Sequence, residues 1–324
     1  MRLPTTLDVY AARGRLRARL APTPLRSSPW LSDRTGASVF LKHEALNLTG
    51  SFKIRGAFNA LLALVESAPG GRPLVVTASA GNHGRAIALA ADELGLRAVV
   101  FTPNDAPETK KAGIRRHGAR LVDDCADYDI AEQHARQFAD AEGGVYVSPY
   151  SHPDVIAGAG TIGLEIVESL PRCQVVVAPI GGGGLASGIG LAMKAVSPQV
   201  EVIGVEVEAS APFARSLEAG RIVEIAIQPT LADGLAGNLE PDAITLPLVK
   251  RFVDRIVLVS EDDLEQAMRL VARAEQLIVE GAGAAALAAL VGNKVDVRGK
   301  QVAVLVTGGN IDLARWMRVV GETS

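Results

Sequence analysis

Short runs of aliphatic residues recur along this chain, and each is followed by turn residues and then by a segment of helical character. Continuous apolar runs are typical of strands that are covered on both faces, as in a parallel sheet. Strands that alternate with helices in this way predict an α/β protein with mostly parallel sheets. The predicted strands are residues 74–77, 98–102, 174–180, 200–207, 255–259 and 301–307.

Three of these runs end in glycine or polar clusters, at residues 79–84, 181–184 and 307–310. In open α/β sheets, ligands bind beyond the carboxyl ends of the strands. We therefore expect the three clusters to meet at one crevice.

The middle cluster is a run of four glycines, Gly181, Gly182, Gly183 and Gly184, between a predicted strand and a helix-like segment. Its backbone amides can point at an anion on the positive end of that helix, and four glycines are costly in entropy for a mere packing turn. Phosphate binding is therefore favoured. The loop also fits Gly-x-Gly-x-x-Ala, with Glu206 ending the next strand, so a nicotinamide-dependent oxidoreductase stays open as a rival.

Lys53 lies among small and apolar neighbours in residues 49–56. Loss of hydration lowers the pKa of a lysine and exposes the lone pair that attacks a carbonyl, which makes Lys53 a candidate Schiff-base residue. The alternative is an ordinary lysine whose stem packs on apolar surface while its ammonium reaches water. Lys53 alone does not decide between them.

Length, charge and cysteine content exclude several classes of protein. With 324 residues the chain exceeds the usual size of a single core, so two domains are expected. A net charge of −3 with mixed signs gives no footprint for nucleic acid or an anionic membrane. Neither the two cysteines nor the five histidines have metal-ligand spacing, so no metal is predicted. A cytoplasmic location is expected, because no signal peptide or membrane-spanning run is recognisable.

Other polar residues at the predicted crevice have both structural and functional interpretations. Ser79 or Asn82 could simply cap the helix that follows them. The Thr307 hydroxyl could bond a heterocyclic nitrogen or be satisfied by the backbone. Glu280 precedes an alanine-rich helix and could merely favour its N-terminus.

Taken together, residues 49–56, 79–84, 181–184 and 307–310 resemble the serine/threonine dehydratase and serine racemase family. These are pyridoxal-phosphate enzymes of the tryptophan synthase β-like fold, fold type II. The resemblance implies two domains with mostly parallel sheets and helices on both faces. The large cofactor-binding domain would comprise residues 1–52 and 150–324, and the small domain residues 53–149.

The resemblance also implies roles for individual residues. Lys53 would hold pyridoxal 5'-phosphate as a Schiff base, with Phe52 beside the ring. Further cofactor contacts would come from Asn82 at the ring hydroxyl, Gly181, Gly182, Gly183 and Gly184 at the phosphate, Thr307 at the pyridine nitrogen, and Glu280 near the ring. The substrate carboxylate would bind to Ser79, Ala80, Gly81, Asn82 and His83, with Gly234 near the substrate.

The activity that the resemblance implies is dehydration and deamination of L-threonine, L-serine or a related 3-hydroxy amino acid to a 2-oxo acid and ammonia. A serine racemase or another β-replacement enzyme is the alternative within the fold. Ala80 stands where racemases carry a second serine, and its methyl group transfers no proton, which favours dehydration. Pro212 stands near the place where many relatives have a second metal-binding carboxylate beyond Glu206, which again argues against a metal. A small amino-acid substrate and a homodimer or homotetramer are expected.

Overall fold

The computed structural model describes residues 2–79 and 81–321. Its strands are β1 (Leu25–Ser27), β2 (Ser38–His43), β3 (Leu74–Ala78), β4 (Arg97–Pro103), β5 (Arg120–Cys125), β6 (Val145–Tyr146), β7 (Val175–Pro179), β8 (Glu201–Val207), β9 (Arg255–Val259) and β10 (Gln301–Val306). Its helices are α1 (Thr6–Leu16), α2 (Pro29–Thr35), the 3-10 helix η1 (Glu44–Leu46), α3 (Lys53–Ser67), α4 (Asn82–Leu94), α5 (Glu108–Arg115), α6 (Tyr128–Glu142), α7 (Pro153–Ser169), α8 (Gly184–Val196), α9 (Pro212–Ala219), α10 (Thr245–Phe252), α11 (Glu261–Ala274), α12 (Gly281–Val291) and α13 (Leu313–Gly321).

The larger sheet has six strands in the spatial order β1-β2-β10-β7-β8-β9. Only the β1–β2 pair in it is antiparallel, and the other pairs are parallel. All five residues of β7 are buried, because helices cover both faces of the sheet centre. Every residue of the alanine-rich α12 is buried as well, against this sheet and α11.

The smaller sheet has four strands in the order β5-β4-β3-β6, and all its pairs are parallel. The apolar side chains of α3 and α4 pack on one of its faces, and those of α6 pack on the other. Mixed α/β architecture with mostly parallel sheets is thereby confirmed.

Each of the six strands predicted from aliphatic runs is present, with ends that differ from the prediction by at most one residue. Four strands, β1, β2, β5 and β6, were not predicted. Two of them carry charges within the strand, Lys42 in β2 and Asp123 and Asp124 in β5, which interrupts the apolar pattern. The other two are only three and two residues long.

Three helices that carry or support the predicted crevice pack very closely through glycine. A Cβ at Gly158 of α7 would lie 2.5 Å from the Arg55 carbonyl oxygen of α3. A Cβ at Gly188 of α8 would lie 2.4 Å from the Ile156 carbonyl oxygen of α7. Helix α7 therefore fixes the distance between α3, which begins at Lys53, and α8, which begins at Gly184.

In residues 2–79 and 81–321, no helix is both long enough and apolar enough to cross a lipid bilayer.

Candidate active site

A cavity opens beyond the carboxyl ends of β3, β7 and β10, where the three polar clusters of the sequence lie. The predicted site residues that line it are Phe52, Lys53, Ser79, Gly81, Asn82, His83, Gly181, Gly182, Gly183, Gly184, Gly234, Glu280 and Thr307. The remaining predicted residue, Ala80, lies outside the described part of the chain. Residues up to 255 positions apart in the sequence thus meet in one place, because parallel strands end at the same edge of a sheet.

Lys53 is the first residue of α3, and its Nζ donates a hydrogen bond to the Pro149 carbonyl oxygen at 2.9 Å. Burial lowers the pKa of Lys53 to about 8, although the negative charge of Glu280 opposes this change. The Phe52 ring lies beneath the amine, with its centroid 5.2 Å from Nζ. Roughly one amine in ten is therefore neutral and nucleophilic at pH 7, far more than for an ordinary lysine.

The four glycines form the turn between β7 and α8, and neighbouring groups occupy the space of a side chain at each of them. A Cβ would lie 2.1 Å from the Tyr150 ring at Gly182, and 2.4 Å from the Phe213 ring at Gly183, whose φ is +83°. At Gly181 and Gly184 the nearest atoms are backbone, at 3.1 and 2.8 Å. The loop thus lines the cavity with side-chain-free backbone at the N-terminus of a 13-residue helix, a place suited to an anion.

Helix α4 begins after Gly81, and no side chain caps its N-terminus with a hydrogen bond. Neither Ser79 nor Asn82 therefore acts as a helix cap. The Ser79 hydroxyl instead accepts a hydrogen bond from the Gly81 amide at 3.1 Å. Asn82 directs its Nδ2 to Glu280 Oε1 at 2.6 Å. The uncapped first turn of α4 can therefore receive a carboxylate.

Glu280 and Thr307 also line the cavity, next to Asn82 and Phe52 respectively. Burial raises the pKa of Glu280 to about 7, and its Oε2 has no hydrogen-bond partner. The Thr307 hydroxyl donates to the Ala282 carbonyl oxygen at 3.3 Å, while its backbone carbonyl accepts from Phe52 N at 3.0 Å. Thr307 thus links the end of β10 to the residue that precedes Lys53.

Glu206 does not face the cavity. It is fully buried at the end of β8, and its two oxygens accept hydrogen bonds from the Phe213 and Ala214 amides, each at 2.8 Å. A ribose-binding acid must present its carboxylate to the ligand, so the arrangement does not suit the nicotinamide alternative.

The sequence did not indicate three other cavity residues, Lys110, Tyr128 and Asp233. Lys110 of α5 and Asp233 form an ion pair at 2.5 Å between Nζ and Oδ2. Lys110 follows β4, whose carboxyl end lies at the same edge as that of β3. That position is the one sequence signal for Lys110, because residues after neighbouring parallel strands lie at the same edge of a sheet.

The residues present suit a pyridoxal phosphate. The glycine loop and the start of α8 offer amides to a phosphate ester, and Lys53 offers an amine of lowered pKa to an aldehyde. The orphaned Oε2 of Glu280 and the amide of Asn82 are further polar groups available to a polar ring.

Comparison with known proteins agrees with this site. Residues 16–308 match the family described as pyridoxal-phosphate dependent enzyme. The L-threonine ammonia-lyase of Thermotoga maritima is 42% identical over 98% of this chain and 78% of its own length. The catabolic L-threonine dehydratase of Escherichia coli K12 is 38% identical over 98% of this chain and 97% of its own. The structure of maize serine racemase superimposes with a TM-score of 0.91 at 30% identity, covering 98% of this chain and 97% of that one.

The family match spans most of the chain and contains all the predicted cofactor residues. The resemblance to the dehydratase and racemase family and the fold-type-II architecture are confirmed, and pyridoxal phosphate is the cofactor of this class. The chain belongs to the pyridoxal-phosphate-dependent enzyme family.

Proposed function

We propose that this protein is a lyase that dehydrates and deaminates L-threonine, L-serine or a related 3-hydroxy amino acid, giving a 2-oxo acid and ammonia. The observation that carries the proposal is the placement of the low-pKa amine of Lys53 in the same cavity as the glycine loop at the start of α8. The two relatives named for threonine, at 42% and 38% identity, support this substrate class over the racemase at 30%.

The residues that would bind the cofactor and the substrate lie at the starts of three helices, α3, α8 and α4. Lys53 would hold the cofactor, Gly181–Gly184 its phosphate, and Phe52 one face of its ring, with Asn82, Glu280 and Thr307 around the ring edge. The first turn of α4, with Ser79, Gly81 and His83, would hold the substrate carboxylate, and Gly234 would lie near the substrate. The cofactor supplies, when bound, an electron sink for the charge left on Cα after deprotonation.

Lys53 is the group in the site best suited to move the Cα proton. An amine with a pKa of about 8 exists in both protonation states near neutral pH, so it can take a proton and release it again. The hydroxyl of Thr307 carries no charge, and it therefore does not favour a protonated ring nitrogen as a carboxylate would. The β-hydroxyl takes up a proton and leaves as water, and the released enamine reacts with a second water molecule to give the 2-oxo acid and ammonia.

The proposal is tested by measuring 2-oxo acid release from L-threonine and L-serine with the wild type and with Lys53→Ala. The wild type should also be yellow and should lose that colour on borohydride reduction, while Lys53→Ala should not be covalently labelled. Equal turnover by the two proteins, or a wild type that takes up no pyridoxal phosphate, would refute the proposal.

The racemase alternative is separated by chiral analysis of the reaction with L-serine. Pyruvate should accumulate well ahead of D-serine, because no second hydroxyl is available at residue 80 to protonate the other face. Dominant D-serine would replace the lyase proposal with the racemase.

The proposal extends to domain organisation, location and assembly. The strands of the smaller sheet all fall between residues 74 and 146, and those of the larger sheet fall outside that range, which supports a small domain at 53–149 and a large one at 1–52 and 150–324. A cytoplasmic location and a homodimer or homotetramer are part of the same proposal.

A further inference from the structure

Asn310 is the last residue of the polar cluster 307–310. Its side chain hydrogen-bonds to one residue in each of two other motifs, residues 49–56 and 79–84. Its Nδ2 donates to the Thr49 carbonyl oxygen and to Asn82 Oδ1, each at 2.7 Å. Its Oδ1 accepts from Arg85 Nη1 at 2.9 Å. We infer that Asn310 is a positioning residue that sets the orientation of the Asn82 amide toward the cofactor, an inference that rests on the proposed function.

The orientation of the Asn310 amide follows from Arg85. A guanidinium group has only donors, so the amide end that faces Arg85 must be the oxygen. The NH₂ end of Asn310 is therefore left to face Thr49 and Asn82, where both partners are acceptors. The fixed chemistry of Arg85 thus determines which way Asn310 points.

The orientation of the Asn310 amide in turn determines the orientation of the Asn82 amide. Because Asn310 presents a donor, Asn82 must turn its Oδ1 outward, and its Nδ2 then faces the cavity and Glu280 Oε1 at 2.6 Å. A reversed Asn82 would bring two NH₂ groups together on one side and two oxygens together on the other. Only one arrangement satisfies all the partners, so Asn82 offers an N–H donor at the ring edge.

Gly50, in the motif that contains Lys53, makes room for this arrangement. Its φ is +70°, and a Cβ there would lie 2.5 Å from Asn310 Oδ1. Both the backbone conformation and the neighbouring amide therefore call for glycine at this position. Asn310 accordingly couples the segment before Lys53 to the helix that carries Asn82.

A donor at Asn82 stabilises a ring oxygen in its anionic form, whereas an acceptor there repels it. Asn310→Asp keeps the size of the side chain and the acceptor for Arg85, but it faces Asn82 with an oxygen. Asn82 must then reverse and present its own oxygen to the cavity. The dissociation constant for pyridoxal phosphate, measured by titration of the apoprotein, should rise about tenfold, the effect of one lost hydrogen bond.

A double-mutant cycle distinguishes positioning from general damage. In an Asn82→Ala background, Asn310→Asp should change the dissociation constant by less than about twofold, because its target is gone. Asn104→Asp, at an exposed site, is the matched control and should bind as the wild type does. If Asn310→Asp does not fold, Arg85→Met enters the same cycle, with an expected rise of about threefold.

Binding by Asn310→Asp at the wild-type level, or an undiminished tenfold loss in the Asn82→Ala background, would overturn the inference. If Arg85→Met is used in place of Asn310→Asp, wild-type binding of pyridoxal phosphate by Arg85→Met would overturn the inference. Each of these outcomes leaves the proposed function intact, provided that the wild type gives a reducible yellow chromophore. A wild type that stays colourless refutes the proposed function itself, so the two failures are told apart.

Discussion

At the scale of single residues, the chemistry of the site comes from polar groups held where water is scarce. Burial lowers the pKa of the Lys53 amine to about 8 and raises the pKa of the Glu280 carboxyl to about 7. Both changes favour the neutral forms, since charge is costly in the low-dielectric interior. A neutral amine attacks an aldehyde, and the proposed capture of the cofactor by Lys53 depends on this property.

The rate at which apoprotein captures pyridoxal phosphate should therefore rise with pH, with a midpoint near 8 rather than near the ordinary lysine value of 10.5. Only the neutral amine reacts, and the folded protein makes it available at lower pH. Stopped-flow absorbance across pH 6–10 measures this, with Lys53→Ala as the unreactive control. A midpoint above about 10 would mean that the amine is solvated.

At the scale of structural elements, the glycine loop combines the end of a buried strand with the start of a helix. The loop is enclosed by the rings of Tyr150 and Phe213, so its backbone occupies a slot without room for side chains. The Tyr150 hydroxyl accepts from the Glu240 amide at 2.7 Å, which keeps the ring in place behind Gly182. The conformation of the loop is thus determined by its neighbours as well as by its glycines.

Gly182→Ala should weaken pyridoxal phosphate binding at least tenfold, because the added Cβ would lie 2.1 Å from the Tyr150 ring and displace either the ring or the loop. Fluorescence titration of the apoprotein measures the loss. The matched control is Gly14→Ala in α1, where no neighbour lies within 4 Å of the added Cβ. Affinities that match in the two variants would show that the loop tolerates displacement.

The start of α3 is fixed by a second feature, a buried charge cluster around Arg55, two residues after Lys53. The Arg55 guanidinium bonds both oxygens of Glu44 at 2.8 and 2.9 Å, and both oxygens of Glu165 at 2.6 and 2.9 Å. Lys42 of β2 donates to Glu165 at 2.5 Å. Burial acts to raise the pKa of Glu44, but the charges of Arg55 and Lys42 and the hydrogen bonds from Arg55 and Thr23 together outweigh it and leave that pKa below its ordinary value.

Arg55→Met should lower the free energy of unfolding by about 3–5 kcal/mol, since it leaves the buried Glu44 and the partly buried Glu165 with one cation instead of two. Denaturant titration followed by circular dichroism measures the change. Arg298→Met is the control, because Arg298 pairs with Asp296 while 79% of its side chain is exposed, and no measurable loss of stability is expected there. A loss from Arg55→Met no larger than that of the control would show that the cluster relaxes without cost.

At the scale of the whole molecule, stability should depend on pH through the buried carboxyl groups. Burial raises the pKa values of Glu206 and Glu240 to about 7, from an ordinary 4.5. The folded protein therefore binds these protons more tightly than the unfolded chain does. Their stabilising contribution is complete below about pH 4.5 and is lost as the pH rises to about 7.

Glu206→Gln should accordingly lose less stability than the wild type when the pH is raised from 5 to 7.5. Glutamine does not ionise, and its oxygen can still accept from one of the two amides at the start of α9. Melting temperatures of the apoproteins across this range measure the difference. Glu218→Gln, at an exposed glutamate, should follow the wild type, and an identical slope for Glu206→Gln would place the Glu206 carboxyl in contact with water.

The buried parallel strands and the four-glycine turn were predictable from the sequence by itself. Strands β7 and β10 are almost entirely apolar, and β8 is apolar except for Glu201 and Glu206. Such runs are typical of the centre of a sheet that is covered on both faces. Lys53 could be predicted as a candidate Schiff-base residue because its immediate neighbours are small and apolar. These features depend on residues that are neighbours in the sequence, and they can therefore be predicted from the sequence alone.

The tertiary structure alone decided which polar residues meet. Lys110 and Asp233 are 123 positions apart, and Asn82 and Asn310 are 228 positions apart. The sequence does not show that Glu206 bonds to the backbone of α9 and not to a ligand. Nor does it show that Lys42, in the otherwise apolar part of β2, pairs with Glu165 of α7. Long-range contacts of this kind depend on how sheets and helices pack, and no local pattern of residues specifies the partner of a given charge or amide.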